Sequence, residues 1–210
     1  RRTLIPMQSL MIGTEPLSED QLQSIGLKNR QTFSDKRHAR IYGQLTADGR
    51  IAFGGRGAPY DFGSRIAGSE EAHARVHAKL EESLKDLLPG LADAEITHRW
   101  SGVFGIPRDW YPGLLLDRET GIVNNTGYVG DGVTTTNLAG RTITDFILGE
   151  QIELLDLPWV NKAAPKWEIE PLRWIAVNAV SELLLWGDRR EAKTGAPSKA
   201  VSAFWKMIGN

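Results

Sequence analysis

The sequence predicts an α+β fold: a mostly antiparallel sheet with flanking helices, a strand–turn–helix unit, and a helical tail. Three observations carry that expectation. Residues 39–46 alternate apolar and polar positions and return through 50–55 across Asp48-Gly49, the pattern of a hairpin. Ile122 and Val123 lead into Gly127-Tyr128-Val129-Gly130-Asp131-Gly132-Val133, followed by a helix running to about Gly149. Apolar helical stripes recur near 76–88 and 172–188.

Composition narrows the function classes. The 210 residues suffice for one large domain or two small ones, and 41% hydrophobic with 24% charged content is enough to bury a core. A net charge of −1 gives no electrostatic case for nucleic acid or an anionic membrane. No window approaches the roughly eighteen apolar residues of a membrane span. Arg1-Arg2-Thr3-Leu4-Ile5-Pro6 is not a secretory signal. The absence of cysteine excludes disulfides, thiolate metal sites and a cysteine nucleophile, and suits the cytoplasmic location expected here. Because the first residue is not methionine, the chain is expected to be a piece of a longer or processed protein.

Taken in order, Thr3 to Thr14 is extended, and Thr14-Glu15-Pro16-Leu17 stops it. Polar residues 19–37 predict a loop with at most a helical turn. In the hairpin, Ala39, Ile41, Gly43 and Leu45 share one face; Arg40, Tyr42, Gln44 and Thr46 share the other, which is either wet surface or the floor of a cavity. Residues 54–68 read as a glycine-rich loop, with Ser69 capping a helix that begins at Glu70-Glu71 and buries Val76, Leu80, Leu84, Leu87 and Leu88. Pro89-Gly90 ends it. His73 and His77, four apart, read as solvated helix histidines with no third metal ligand nearby, and His38 and His98 as structural or exposed. Ala94 to Phe104 predicts a strand, and Leu114–Asp117 pairs with Gly121–Asn125 across Arg118-Glu119-Thr120. The helix after the glycine turn should bury Leu138, Ala139, Ile143, Phe146 and Ile147. Residues 154–172 read as mostly irregular. Leu172 to about Asp188 is a strongly apolar helix, and Gly195-Ala196-Pro197-Ser198 separates it from a last short one. Trp100, Trp174 and Trp186 read as core rather than as substrate platforms.

The glycine turn has two readings. Gly127, Gly130 and Gly132 allow positive φ and a close approach to something flat or charged, with the helix N–H groups and the hydroxyls of Thr134, Thr135 and Thr136 aimed at it. It also suits an ordinary strand-to-helix turn. Its glycine order is not that of the dinucleotide fingerprint G-x-G-x-x-G.

Thr14-Glu15-Pro16-Leu17, Arg50-Ile51-Ala52-Phe53-Gly54-Gly55, Arg99-Trp100-Ser101-Gly102, and the glycine turn with Leu138-Ala139-Gly140-Arg141 occur in that order with suitable gaps. Over about residues 3–150 this resembles the C-terminal half of the D-amino-acid oxidase-like flavoprotein superfamily, within it the gamma-glutamylputrescine oxidase and sarcosine or glycine oxidase group. The resemblance implies FAD as cofactor and hydride removal from the amine-bearing carbon of an amine or amino-acid-like substrate. It implies that residues 1–104 form the substrate-side sheet and 105–150 the C-terminal part of an FAD-binding domain; residues 151–210 lie outside the resemblance and read as a helical extension from their own pattern. It places Gly127, Gly130, Asp131, Gly132 and Val133 against the flavin, and Tyr42, Gln44 and Phe104 on the substrate side. It assigns no catalytic residue and no metal.

Four departures from the family pattern qualify these expectations. The N-terminal G-x-G-x-x-G unit that binds the FAD pyrophosphate is absent from the sequence, so FAD is expected only in the full-length protein and the isolated chain is expected to be inactive. Phe104 stands where amino-acid-specific members carry a carboxylate-binding arginine, and Gln44 replaces a hairpin arginine. Asp131 replaces the more usual histidine and would oppose negative charge on reduced flavin, unless it turns away or the chemistry is altered. A non-catalytic binding domain, or a subunit completed by a separate FAD-binding chain, is the alternative. The expected partners are a small-molecule amine and the missing N-terminal segment, with neither nucleic acid nor membrane.

Overall fold

The computed structural model describes residues 2–55, 57, 60–66, 70–150 and 153–208. Its chain forms two compact units: residues 1–7, 62–64 and 103–173, and residues 8–61, 65–102 and 174–210.

The second unit is built on a five-stranded sheet. Its strands are β1 (Leu4–Thr14), β2 (Thr32–Ser34), β3 (Ile41–Leu45), β4 (Ile51–Gly55) and β5 (Ile96–Pro107), in the order β2-β3-β4-β1-β5. The ends of β1 and β5 at residues 4–7 and 103–107 belong to the first unit. The hairpin register is antiparallel, with Tyr42 opposite Gly54 and Gly43 opposite Phe53. Met11 lies opposite Gly54 and Ile12 opposite Phe53 on the other side of β4. Thr46 N–H donates to Arg50 O at 2.8 Å, closing a three-residue loop with Gly49 left-handed at φ 79°. Alternation then does the sorting: Ile41, Leu45, Ile51 and Phe53 are buried with Leu10 and Ile12, while Tyr42 and Gln44 face out.

Helix α2 (Glu70–Leu87) covers the inner face with Val76, Leu80 and Leu84, as its stripe predicts. The proposed Ser69 cap lies outside the described residues. Residues 19–37 are more ordered than expected. They hold helix α1 (Glu19–Ile25), started by a complete Ser18/Gln21 capping box and ended by left-handed Gly26, and the edge strand β2. The S-x-x-Q spacing was the available signal. Phe33 on β2 lies over Gly43 and stacks on Phe53, with ring centroids 6.1 Å apart.

In the first unit, β6 (Gly113–Asp117) pairs with β7 (Ile122–Thr126) as predicted, and helix α3 (Gly132–Leu148) follows the glycine turn. Leu114, Ala139 and Trp159 form its core, joined by Leu116, Val123, Leu138 and Ile143. Ile147, expected inside, is exposed, because the helix buries a narrower stripe centred on Ala139 and Thr142. Trp167 is buried and donates its indole N–H to Ile106 O at 2.9 Å.

Helix α4 (Leu172–Thr194) runs longer than expected, and helix α5 (Lys199–Ile208) follows left-handed Gly195. The apolar character of α4 does not translate into burial: Leu172, Trp174, Ile175 and Trp186 are exposed. Trp100 on β5 is exposed as well, so none of the three tryptophans assigned to the core lies there.

Candidate functional site

The glycine turn is a strained strand-to-helix connection. Gly127 and Gly130 take φ of 88° and 90°. Gly132 does not; it is the first residue of α3, and the third left-handed position is Val129, at φ 54°. A β-branched residue there costs about 1–3 kcal/mol and is retained only where its surroundings enforce it. The Val129 side chain is 7% exposed, so burial supplies that enforcement. At Gly127 a Cβ would stand 3.0 Å from both Tyr111 O and Pro107 Cγ, so no side chain fits without movement. Asp131 N–H donates to Tyr128 O at 2.9 Å and closes the turn. Tyr128 hydrogen-bonds Asn125 through its hydroxyl; burial pushes its phenol pKa up, and the Asn125 contact works against that.

The start of α3 is set by the turn itself. Asp131 occupies the N-cap position but makes no side-chain cap bond to the helix. The hydroxyls of Thr135 and Thr136 donate back to Asp131 O and Val133 O at 2.8 and 3.0 Å, so they serve the helix itself rather than a ligand. Val133 is 92% exposed in the first turn. The strained turn and an exposed apolar first-turn residue together fit an electron-rich planar group lying against this end of the helix.

The outer face of the sheet in the other unit carries an aromatic and thioether layer. A Cβ at Gly54 would lie 2.0 Å from Met11 Sδ and 2.9 Å from Tyr42 Cε2, so Met11 and Tyr42 close over that glycine. Tyr42, 37% exposed, shares a short hydroxyl–hydroxyl hydrogen bond with Ser9 Oγ. Gln44, on the same face of β3, donates to Arg30 O at 3.3 Å. Trp100 and His98 flank Gly13, each within 3.4 Å of where its Cβ would be. Phe104 sits half-buried on the part of β5 that belongs to the first unit. Ser9, Met11 and Val129 escaped the sequence reading. Period-2 alternation along β1 could have found the first two; nothing local marks the third.

The helix histidines are less solvated than expected: His77 is buried and His73 half-buried. His77 is buried with Nε2 3.3 Å from Trp100 O, and His73 Nε2 is buried with no hydrogen-bond partner among the described residues. Both lie on the side of α2 turned toward the protein, a consequence of the 100° step that brings them near the Val76 stripe. No group of three or more His, Asp or Glu residues placed to hold a metal occurs among the described residues. No helix among them is long and apolar enough to cross a membrane.

Comparison with known proteins bears on this geometry. Residues 1–146 match the family described as FAD dependent oxidoreductase. The chain is 35% identical over 148 residues to the gamma-glutamylputrescine oxidoreductase of Escherichia coli K12, covering 70% of this chain and 32% of that protein. It is 30% identical over 128 residues to the probable oxidoreductase OrdL of Rhizobium meliloti, covering 61% and 28%. The chain thus spans about a third of the length of the curated relatives it matches. Among solved structures, glycine oxidase from Geobacillus kaustophilus superposes with a TM-score of 0.57 at 18% identity, over 79% of this chain and 40% of that one. Iminodiacetate oxidase from Chelativorans sp. BNC1 gives 0.55 at 18% identity, over 78% and 42%. At that identity the structural likeness concerns the fold.

Proposed function

The chain belongs to the FAD dependent oxidoreductase family, and on that premise we propose that it is the C-terminal portion of an enzyme that oxidises the C–N bond of an amine. The FAD pyrophosphate unit would then lie in a segment preceding Arg1, and the isolated chain would be inactive. The observation that carries the proposal is the turn at Gly127–Val133: a left-handed, β-branched Val129 between left-handed Gly127 and Gly130 is a cost a merely connecting turn has no reason to retain.

In this reading residues 105–150 supply the flavin-side surface and residues 1–104 the substrate-side sheet. Gly127, Gly130, Gly132 and Val133 would hold the cofactor, and the N–H groups of the α3 N-terminus would favour electron density placed there. When bound, FAD supplies the two-electron acceptor for converting the amine to an imine, which water hydrolyses. The chain's own residues bind and orient. Tyr42 and Ser9 offer a hydroxyl pair that accepts from, and donates to, a polar substrate group. Trp100 and Met11 add apolar area for an alkyl chain. Phe104 and Gln44 provide no guanidinium fork, so the reading favours amines that lack an α-carboxylate. Gamma-glutamylputrescine, the substrate in the name of one relative, is such an amine at its reactive end.

One observation favours a second reading. Asp131 puts a carboxylate beside the proposed flavin edge, where it opposes reduced flavin; a non-catalytic domain or a subunit that keeps the fold would tolerate it. The visible absorption spectrum of the full-length protein separates the two. A bound, reducible flavin supports the enzyme, and a colourless full-length protein supports the binding domain.

A further inference from the structure

Residues beyond the matched family region meet the sheet in an unexpected way. Asp188 of α4 accepts two consecutive backbone N–H groups, from His38 at 2.7 Å and Ala39 at 3.0 Å, immediately ahead of β3. One turn further on, Glu191 Oε1 lies 3.0 Å from His38 Nε2 and accepts Ser198 N–H at 2.6 Å, joining α4, the entry to β3 and the start of α5. The junction is close-packed: a Cβ at Gly187 would stand 2.5 Å from Val201 Cγ2 and 3.4 Å from His38 Cδ2. Ser198 and Val201 are fully buried. Ten residues earlier, about 15 Å along the helix, Asn178 Nδ2 donates at 3.0 Å to the carbonyl of buried Tyr60, in the segment that follows β4. Helix α4 therefore grips the chain just before β3 and just after β4.

The character of this contact is informative. An apolar helix that leaves Leu172, Ile175 and Trp186 in solvent is held by charged and polar groups aimed at backbone. Charge-assisted bonds to amides are directional and fix position, whereas apolar burial alone would hold the helix without specifying register.

We propose that α4 and α5 form a clasp that sets the position of strand β3, with Asp188 as its positioning residue. The strand it sets carries Tyr42, so the functional part of the proposal rests on the substrate-side reading above. The extension thereby acts on substrate binding without touching substrate.

The test has a readout independent of flavin. Backbone amide exchange should accelerate roughly ten- to a hundredfold at His38 and Ala39 in Asp188→Ala, the value of one charge-assisted hydrogen bond, and less in Asp188→Asn, which keeps one acceptor. Gly187→Leu should reproduce the pattern by sterics without changing charge. Glu182→Gln, which removes a surface ion pair with Arg189 on the same helix, should leave β3 unchanged. In flavin-loaded full-length protein, Asp188→Ala should raise KM for the amine several-fold with kcat within about twofold, the sign of lost ground-state positioning. Unchanged exchange at His38 and Ala39, or acceleration spread evenly over the whole sheet, would overturn the clasp. Local acceleration with an unchanged KM would overturn its role in substrate binding. Failure of the full-length protein to hold flavin would count against the oxidoreductase reading alone, since exchange judges the clasp without it.

Discussion

Gly43→Ala is the sharpest probe of the sheet that carries the proposed substrate face. Gly43 is paired with Phe53 and faces inward, where a Cβ would lie 2.3 Å from Phe33 Cζ and 2.9 Å from both Cε atoms. The methyl group must displace Phe33, breaking its stack on Phe53. Loss of an aromatic pair is worth about 0.5–1.5 kcal/mol, and overpacking a fitted site about 1–3 kcal/mol. Gly43 does not have positive φ, so the substitution also restricts the unfolded chain and returns about 0.4–1 kcal/mol. Because the ring tip of a half-buried edge-strand residue can swing aside, the net destabilisation should be about 1–3 kcal/mol. Urea denaturation should show a lower midpoint with an unchanged slope. Phe33→Leu should relieve part of the clash, so the double variant should be less destabilised than the sum of the singles by about 1 kcal/mol. A neutral or stabilising Gly43→Ala, or strict additivity with Phe33→Leu, would refute the register. A one-residue slip would turn Gly43 to the outer face, away from Phe33.

Other expectations follow from the site and the clasp. Asp131→Asn in full-length protein should raise the flavin reduction potential by a few tens of millivolts, where about 30 mV corresponds to ~1.4 kcal/mol, while changing stability by at most about 1 kcal/mol; an unmoved potential would mean that the carboxylate points away from the flavin. Steady-state assays should favour an amine without an α-carboxylate over glycine, sarcosine or alanine, and a higher kcat/KM on a simple amino acid would show that a cation other than one at position 104 binds the carboxylate. The hydrogen bond from His38, and secondarily Ser198 N–H, hold the Glu191 carboxyl below its usual range. A depressed folded-state pKa stabilises the clasp above the ordinary glutamate value of about 4.3 and loses that contribution as pH falls through the folded value. Protection of the Ser198 amide should therefore drop in acid in wild type, and Glu191→Gln should flatten the profile; identical profiles would contradict the assignment.

What could be read from the sequence depended on how local the cause was. The β3–β4 hairpin was legible because Asp48-Gly49 and strict alternation act within a few residues. The β6–β7 pair and the ends of α3 were legible for the same reason, with Gly149 serving as a left-handed C-cap. Helix α1 was equally local, and its Ser18-x-x-Gln21 box was overlooked in a polar stretch. The α4 tryptophans misled because an apolar helix is buried only if something covers it, and composition cannot say what does. Val129 was invisible because left-handed backbone at a β-branched residue is imposed by surroundings that propensity disfavours. The His38–Asp188 contact, 150 residues apart in sequence, has no local signature at all. At the proposed site, the glycines of the turn and Tyr42 were legible, and period-2 alternation along β1 and the 100° step of α2 held the signal for Ser9, Met11 and the inward turn of His77, whereas the Ser9–Tyr42 bond and the Met11 contact over Gly54 required the folded sheet.

The central proposal is that this chain is part of a flavin-dependent amine oxidoreductase. The most direct test is anaerobic mixing of the full-length protein with gamma-glutamylputrescine while its visible spectrum is recorded. The account predicts a yellow protein whose flavin band bleaches on mixing and returns when an electron acceptor is admitted, with the isolated 210-residue chain remaining colourless throughout. A full-length protein without flavin, or one whose flavin stays oxidised with every amine offered, would contradict it.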